Sequence, residues 1–230
     1  MLYIIGLGLN YDGISKFGLD AVKKCKRVYL DNYTVELPYS VQQLVDVIGK
    51  KVILANREKV ENLSLVDEAS KLDVALLVYG SPLTATTHIT LIQEAKKSEV
   101  RYKVIYNASI LDAVAETGLQ LYKFGKIASM PEFEADSFMD MVSQNQKINA
   151  HSLILVDIRL EFSVALEKLK KAAEKHKVKL GKVLVCSRLG CQGSRIFYKD
   201  IKEIKPESRV KAPYCFIVPG KLHFLESEVL

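Results

Sequence analysis

A chain of 230 residues, 49% hydrophobic and 26% charged, has room for one large or two small globular domains and lacks the composition of a disordered or fibrous protein. Its 33 basic and 27 acidic residues leave a formal net charge of +6, well short of a polybasic arm but able to attract an acidic protein or RNA. The four cysteines form no C-x-x-C pair and the four histidines are not spaced beside them, which argues against a metal site, while the short apolar run at the N-terminus, without a basic region before it, predicts neither a membrane span nor a secretory leader. A cytoplasmic protein with free thiols is the expectation.

In chain order, β-branched and apolar runs at residues 2–5, 27–30, 51–55, 74–78 and 103–106 read as strands. Apolar residues at helical spacing mark helices over 15–26, 40–48 and 87–97. Continuous apolar strands alternating with helices predict a mostly parallel sheet. A Leu/Tyr/Phe-rich connector at 118–126 and an acidic stretch at 132–136 follow. Beyond them come a helix near 137–145, a strand at 152–156 and a long helix at 163–176. Strands at 182–186, 195–198 and 215–218 then lie close together without full helices between them, which predicts antiparallel pairs in a mixed sheet. The fold class is therefore α/β with two α/β domains, residues 1–115 and 116–230, joined through the connector.

Several strand exits carry residues suited to binding. Gly6-Leu7-Gly8-Leu9-Asn10 follows the first strand, and two glycines there let backbone approach a ligand closely. With Asp31 further on, this turn is one candidate dinucleotide site, although Tyr11 stands where the third glycine of that motif belongs. The stretch Tyr79-Gly80-Ser81-Pro82-Leu83-Thr84 leads into Ala85-Thr86-Thr87-His88, a rigid turn followed by a helix start. Asn107-Ala108-Ser109-Ile110 offers small polar donors at a third strand exit, and an ordinary capping serine is the plainer reading of it. In an open α/β sheet ligands bind at the carboxyl ends of strands, so these three loops point to a small-molecule site without identifying its ligand. His223, Asp157 and the aromatic and basic residues of the connector are further candidates, each equally readable as structural.

Taken jointly and in order, the A-T-T-H, N-A-S-I, G-L-Q-L-Y-K-F-G and P-G-K-L-H stretches at residues 85–88, 107–110, 118–125 and 219–223 resemble those of the diphthine synthase family, which belongs to the tetrapyrrole-methylase-like methyltransferases. The likeness runs from Met1 to about Leu230, and the short length and the turn at 188–190 resemble archaeal members. The resemblance implies S-adenosylmethionine held in a cleft between the two domains of a homodimer. Carried over position by position, the cofactor contacts would be Leu9, Ser81, Thr84, Ser109, Ile110, Val156, Tyr198 and His223. The chain departs from the family at three of these: Ser81 replaces an aspartate, Tyr198 a small alanine and Val156 a leucine.

The implied substrate is translation elongation factor 2, whose histidine bearing a 3-amino-3-carboxypropyl group is methylated on its amino nitrogen during diphthamide synthesis. His88, Tyr122 and Asp157 are the candidates for orienting that amine or accepting its proton, and Lys123 and Lys126 for docking the factor. No membrane and no direct nucleic-acid contact is expected. Three other readings stay open: a methyltransferase of the same fold acting on a tetrapyrrole precursor of cobalamin or siroheme, an NAD-dependent oxidoreductase built on the glycine turn and Asp31, and a non-catalytic protein- or RNA-binding module.

Overall fold

The computed structural model describes residues 1–206 and 209–230, and the chain divides into two compact units, Met1–Leu111 and Asp112–Leu230. Among the described residues no helix is long and apolar enough to cross a membrane.

In the first unit, β1 (Leu2–Gly6), α1 (Lys16–Lys24), β2 (Arg27–Asp31), α2 (Val41–Ile48), β3 (Ile53–Ala55), α3 (Arg57–Glu61), α4 (Ser64–Lys71), β4 (Val74–Val78), α5 (Ile89–Lys97) and β5 (Tyr102–Ile105) alternate along the chain. The five strands form one sheet in the order β3-β2-β4-β1-β5, every neighbouring pair parallel. All five residues of β4 are buried, as expected of a central strand covered on both faces. Alternate residues serve the two faces. Ile4, Leu76 and Val78 pack with Leu65, Val66 and Leu91 from α4 and α5, whereas Ile5, Ala75 and Leu77 pack with Ala21, Val22 and Leu44 from α1 and α2. Truncating one of these side chains, Leu76 for example, is expected to cost about 2–5 kcal/mol.

Local signals set the helix ends. Ser15 caps α1 through Gly18 N, and Ser40 with Gln43 forms a capping box on α2. The sequence reading missed α3 and α4. Leu63, at φ +61°, breaks residues 57–71 into two helices of five and eight residues, each too short to show a sustained apolar period. The strand predicted at 51–55 starts only at Ile53, on the sheet edge, where Ile53 and Leu54 stay exposed.

Helix α6 (Ile110–Ala113) carries the chain past the boundary between units. The second unit then contains β6 (Ala128–Met130), α7 (Phe138–Lys147), β7 (Ser152–Val156), α8 (Phe162–Lys175), β8 (Lys182–Ser187), β9 (Arg195–Asp200), β10 (Tyr214–Val218) and α9 (Phe224–Val229). Its sheet runs β6-β7-β10-β8-β9, with β6 and β7 parallel and the other pairs antiparallel. The mixed sheet is thus as expected, although β6 and α9 were not foreseen. Phe138, Met139 and Val142 of α7 and Leu166 and Leu169 of α8 pack on Ile154, Val183, Val185 and Phe216.

Candidate functional site

Three strand exits of the first unit meet at the carboxyl end of its sheet. Beyond β1, Gly8 N donates to Gly80 O at 3.1 Å and Gly80 N to Gly8 O at 2.9 Å, so the first turn and the turn after β4 form a small antiparallel bridge. Gly8 and Gly80 both hold positive φ, +71° and +75°, which favours glycine at each. The third exit locks in through a side chain: Asn107 Nδ2 donates to Gly6 O at 3.1 Å and Gly13 O at 2.9 Å, and Asn107 Oδ1 accepts from Ala108 N at 2.8 Å. The fit at Gly6 leaves no space for a side chain. A Cβ there would stand 2.7 Å from Gly80 O, 2.8 Å from Pro82 Cδ and 2.9 Å from Asn107 Cβ.

The turns so joined carry five of the predicted cofactor residues. Leu9 follows Gly8. Ser81 is buried, and its carbonyl accepts from Thr84 N at 3.3 Å. Ser109 is buried with its Oγ accepting from Leu111 N at 3.2 Å, and Ile110 opens α6. The nearest atoms to a Cβ added at Gly80, Ala108 O and Ser109 Cα, are 3.8 Å away. The sequence marked the loop at 107–110 for its small donors but not Asn107 as the clamp that ties the third strand exit to the first. A carboxamide between a strand and a small-residue loop was the available signal.

The candidate dinucleotide reading loses its residues here. The Asp31 carboxylate is buried and already accepts from Tyr33 N at 3.0 Å, Thr34 N at 3.3 Å and Thr34 Oγ1 at 2.5 Å. It is tied up in its own turn instead of being presented to a ribose. The first helix does not start until Lys16, and β4 lies between β1 and β2, which a dinucleotide fold would pair directly. His88, at the start of α5, is fully buried with its Nε2 3.2 Å from Asp31 Oδ2.

In the second unit, Val156 ends β7 opposite Met130. Asp157 follows it, its N–H on Met130 O at 3.0 Å and its Oδ2 accepting from Glu132 N at 3.4 Å, so the carboxylate helps close a turn. Tyr198 lies in β9 opposite Leu184, with Lys182 Nζ 5.2 Å from its ring centre, and burial raises its phenol pKa. Tyr122 is 82% exposed in a short 3-10 turn. His223 caps α9. Its Nδ1 accepts from Leu225 N at 3.4 Å, so the neutral ring carries its proton on Nε2 and presents a donor there.

The polar centre of this unit is Glu226, which no sequence motif marks. It is fully buried and accepts from Gln120 N at 2.9 Å, His223 N at 2.7 Å, His151 Nε2 at 3.0 Å and Lys123 Nζ. Burial alone would raise its pKa. The donors, led by His223 N–H, Lys123 and Gln120 N–H, outweigh burial and hold it at about 2. His151 is fully buried too, with Gly220 N donating to its Nδ1 at 2.9 Å. Burial lowers its pKa against the opposing pull of Glu226. Lys123 was expected to dock an acidic partner, but its ammonium is held by Glu226 and by Lys221 O at 2.8 Å. Lys126 bonds Gln144 Oε1 at 2.7 Å. A groove of about 680 Å³ beside α8, lined among others by Glu134, Asp136, Ser163 and Lys171, contains none of the predicted residues.

Comparison with known proteins follows the same lines. Residues 1–205 match the family model described as tetrapyrrole (corrin/porphyrin) methylases. A probable diphthine methyl ester synthase of Arabidopsis thaliana is 34% identical over 268 aligned positions, covering all of this chain and 97% of that one. Diphthine methyl ester synthases of Candida glabrata and Saccharomyces cerevisiae are 47% and 46% identical over 169 residues, 70% of this chain. The match takes in 57% and 56% of those yeast proteins, so the chain spans little more than half their length. Among solved structures, a diphthine synthase aligns with TM-score 0.91 and 32% identity, over all of this chain and 94% of that one. A putative diphthine synthase from Entamoeba histolytica aligns with TM-score 0.90 and 31% identity, over all of this chain and 96% of that one. The fungal and plant relatives lend no support to an archaeal origin.

Proposed function

The chain belongs to the tetrapyrrole (corrin/porphyrin) methylases, and from that premise we propose that it is an S-adenosylmethionine-dependent diphthine synthase. Its protein substrate is translation elongation factor 2, methylated on the amino nitrogen of a 3-amino-3-carboxypropyl-histidine. Whole-length likeness to proteins named for diphthine favours this over a tetrapyrrole substrate. In this reading the two units are the two domains, the enzyme is a cytoplasmic homodimer, and Val156, Tyr198 and His223 add to the cofactor contacts.

The observation that carries the reading is the convergence of the turns at Gly6, Gly80 and Asn107. The residues there fit the cofactor. Side-chain-free backbone at Gly80, where an added Cβ would find its nearest atoms 3.8 Å away, admits close approach, and the hydroxyls of Ser81, Thr84 and Ser109 suit a ribose and a carboxylate. Among the described residues the buried polar side chains of this unit are Asp31, Ser81, His88 and Ser109.

Bound S-adenosylmethionine supplies a methyl group already activated by its sulfonium. The protein's own task is to hold acceptor and cofactor in line and keep water out, which can lower the barrier by several kcal/mol. For transfer to nitrogen the acceptor is a neutral amine. With an α-amine pKa of about 8, a usable fraction is neutral without a strong base, and desolvation increases it.

Labelled cofactor offered with modified elongation factor 2 and, separately, with a tetrapyrrole tests the assignment. Label is expected in the factor. Label in the tetrapyrrole alone would overturn the substrate, and failure of S-adenosylhomocysteine to bind in a calorimeter would overturn the cofactor.

A further inference from the structure

The end of β2 and the start of α5 bring Asp31 and His88 together, and the turn at residues 80–87 runs directly into His88. Both side chains are fully buried, with Nε2 and Oδ2 3.2 Å apart. That distance suits a hydrogen bond, yet the ring N–H is not directed at the carboxylate, and neither His88 nitrogen has a hydrogen-bond partner among the described residues. Thr86 Oγ1 is likewise buried without a partner. Polar groups left unmet in an interior are unfavourable, and such exceptions call for a reason.

The turn itself is strained. Leu83 and Ala85 hold φ of +69° and +54°, a region that residues with a Cβ seldom occupy. At its far end Tyr33 Oη stands 3.4 Å from Thr87 Oγ1, and Thr87 O accepts from Thr90 N at 3.1 Å and Thr90 Oγ1 at 3.0 Å. Asp31, by contrast, is anchored by three donors from residues 33 and 34. One partner is therefore fixed, while the other ends a strained segment and is not aligned with it.

We propose that Asp31 and His88 are positioning residues forming a latch, which aligns the His88 Nε2–H with the Asp31 carboxylate when the turn at 80–87 takes up its ligand and so sets Ser81 and Thr84 for S-adenosylmethionine. The inference rests on the reading of this turn as a cofactor site. It gives buried His88 a role through the turn in place of direct contact with the substrate amine.

The test is S-adenosylhomocysteine affinity by calorimetry, steady-state kinetics and amide exchange across residues 80–87, in the wild type and in His88→Ala, His88→Phe and His88→Gln. Bound S-adenosylhomocysteine is expected to slow exchange across 80–87 in the wild type. The alanine and phenylalanine variants are expected to bind it about tenfold more weakly, as for a lost charge-assisted hydrogen bond. Their loss should fall on the cofactor KM more than on kcat. Glutamine, which offers an N–H near the Nε2 position, is expected to recover most of the affinity. Phenylalanine fills the imidazole volume and serves if the alanine variant does not fold.

Undiminished affinity in a folded phenylalanine variant would overturn the latch, as would a fall in kcat with KM unchanged or wild-type exchange indifferent to bound S-adenosylhomocysteine. A wild-type protein that binds no S-adenosylhomocysteine removes the cofactor reading instead. The latch, which rests on that reading, falls with it, whereas wild-type binding that is intact and undiminished in His88→Phe removes the latch alone.

Discussion

Histidine is fully buried at two places in this chain, His151 in the second unit and His88 in the first, and the two differ in their bonding. His151 is satisfied at both nitrogens, by Gly220 N–H and by Glu226, within a network that also holds Lys123, Gln120 and the start of α9. His88 has a carboxylate 3.2 Å away and no aligned bond. Desolvating an imidazole is unfavourable in both places, but only around His151 do protein hydrogen bonds offset it. The difference separates a polar cluster that holds a fold together from one placed to respond to a ligand.

The largest effect should come from breaking the satisfied cluster. Glu226→Ala would leave Lys123, His151 Nε2–H and two backbone N–H groups without their acceptor. Removing one partner of a buried ion pair typically costs about 3–5 kcal/mol. Urea unfolding followed by a probe in the second unit should show that loss. A change under about 1 kcal/mol would mean that water readily replaces the carboxylate, and the contrast with His88 would fail.

Acid separates the members of the same cluster. His151 has a lowered pKa when folded, so the unfolded chain binds its proton more readily. Its contribution is complete above about 6.5, the unfolded value, and fades as pH falls from there through the folded value. Glu226, lowered to about 2, contributes fully above its unfolded value near 4.5 and loses that contribution as pH falls towards 2. Stability of the second unit should therefore decline in two stages on acidification. His151→Gln is expected to flatten the upper stage and Glu226→Gln the lower. A single transition below pH 4 in the wild type would remove His151 from the account.

The clamp at Asn107 should rank next. Asn107→Ala removes three hydrogen bonds that tie the turns at Gly6, Gly13 and Ala108, and a loss of about 1–3 kcal/mol in thermal or urea unfolding is expected. Weaker S-adenosylhomocysteine binding should accompany it. Unchanged binding would show that the turns converge without the side chain.

Much of this framework was legible in the sequence, for reasons that differ by element. Buried strands such as β4 announce themselves as unbroken apolar runs, and α1 and α2 have serine caps before an apolar stripe. Helices α3 and α4 stayed hidden because a left-handed leucine interrupts their period, and α9 because six residues give no period to read. At the candidate site, glycines and small polar residues marked the three strand exits. The polar partners did not show. Glu226 meets Gln120, Lys123 and His151 across intervals of 106, 103 and 75 residues, and no local pattern records such pairings. Asp31 stood at a spacing that suggested a nucleotide contact, whereas folding turns its carboxylate onto Tyr33 and Thr34.

The smallest effect on stability, and the sharpest division between the two histidines, is expected at His88. Phenylalanine there keeps an aromatic ring beside Tyr33, whose ring centre is 6.2 Å away, and removes two nitrogens that have no hydrogen-bond partner. Asp31 keeps its three donors from residues 33 and 34. With no aligned hydrogen bond lost, His88→Phe should shift the free energy of unfolding by about 1 kcal/mol or less, in either direction. The same substitution at His151 strips Gly220 N–H of its acceptor and Glu226 of a donor, and should cost about 2 kcal/mol or more. Parallel urea titrations of the two phenylalanine variants measure both. Equal losses would mean that His88 contributes to the free fold as His151 does, and its missing bonds would no longer mark a separate role.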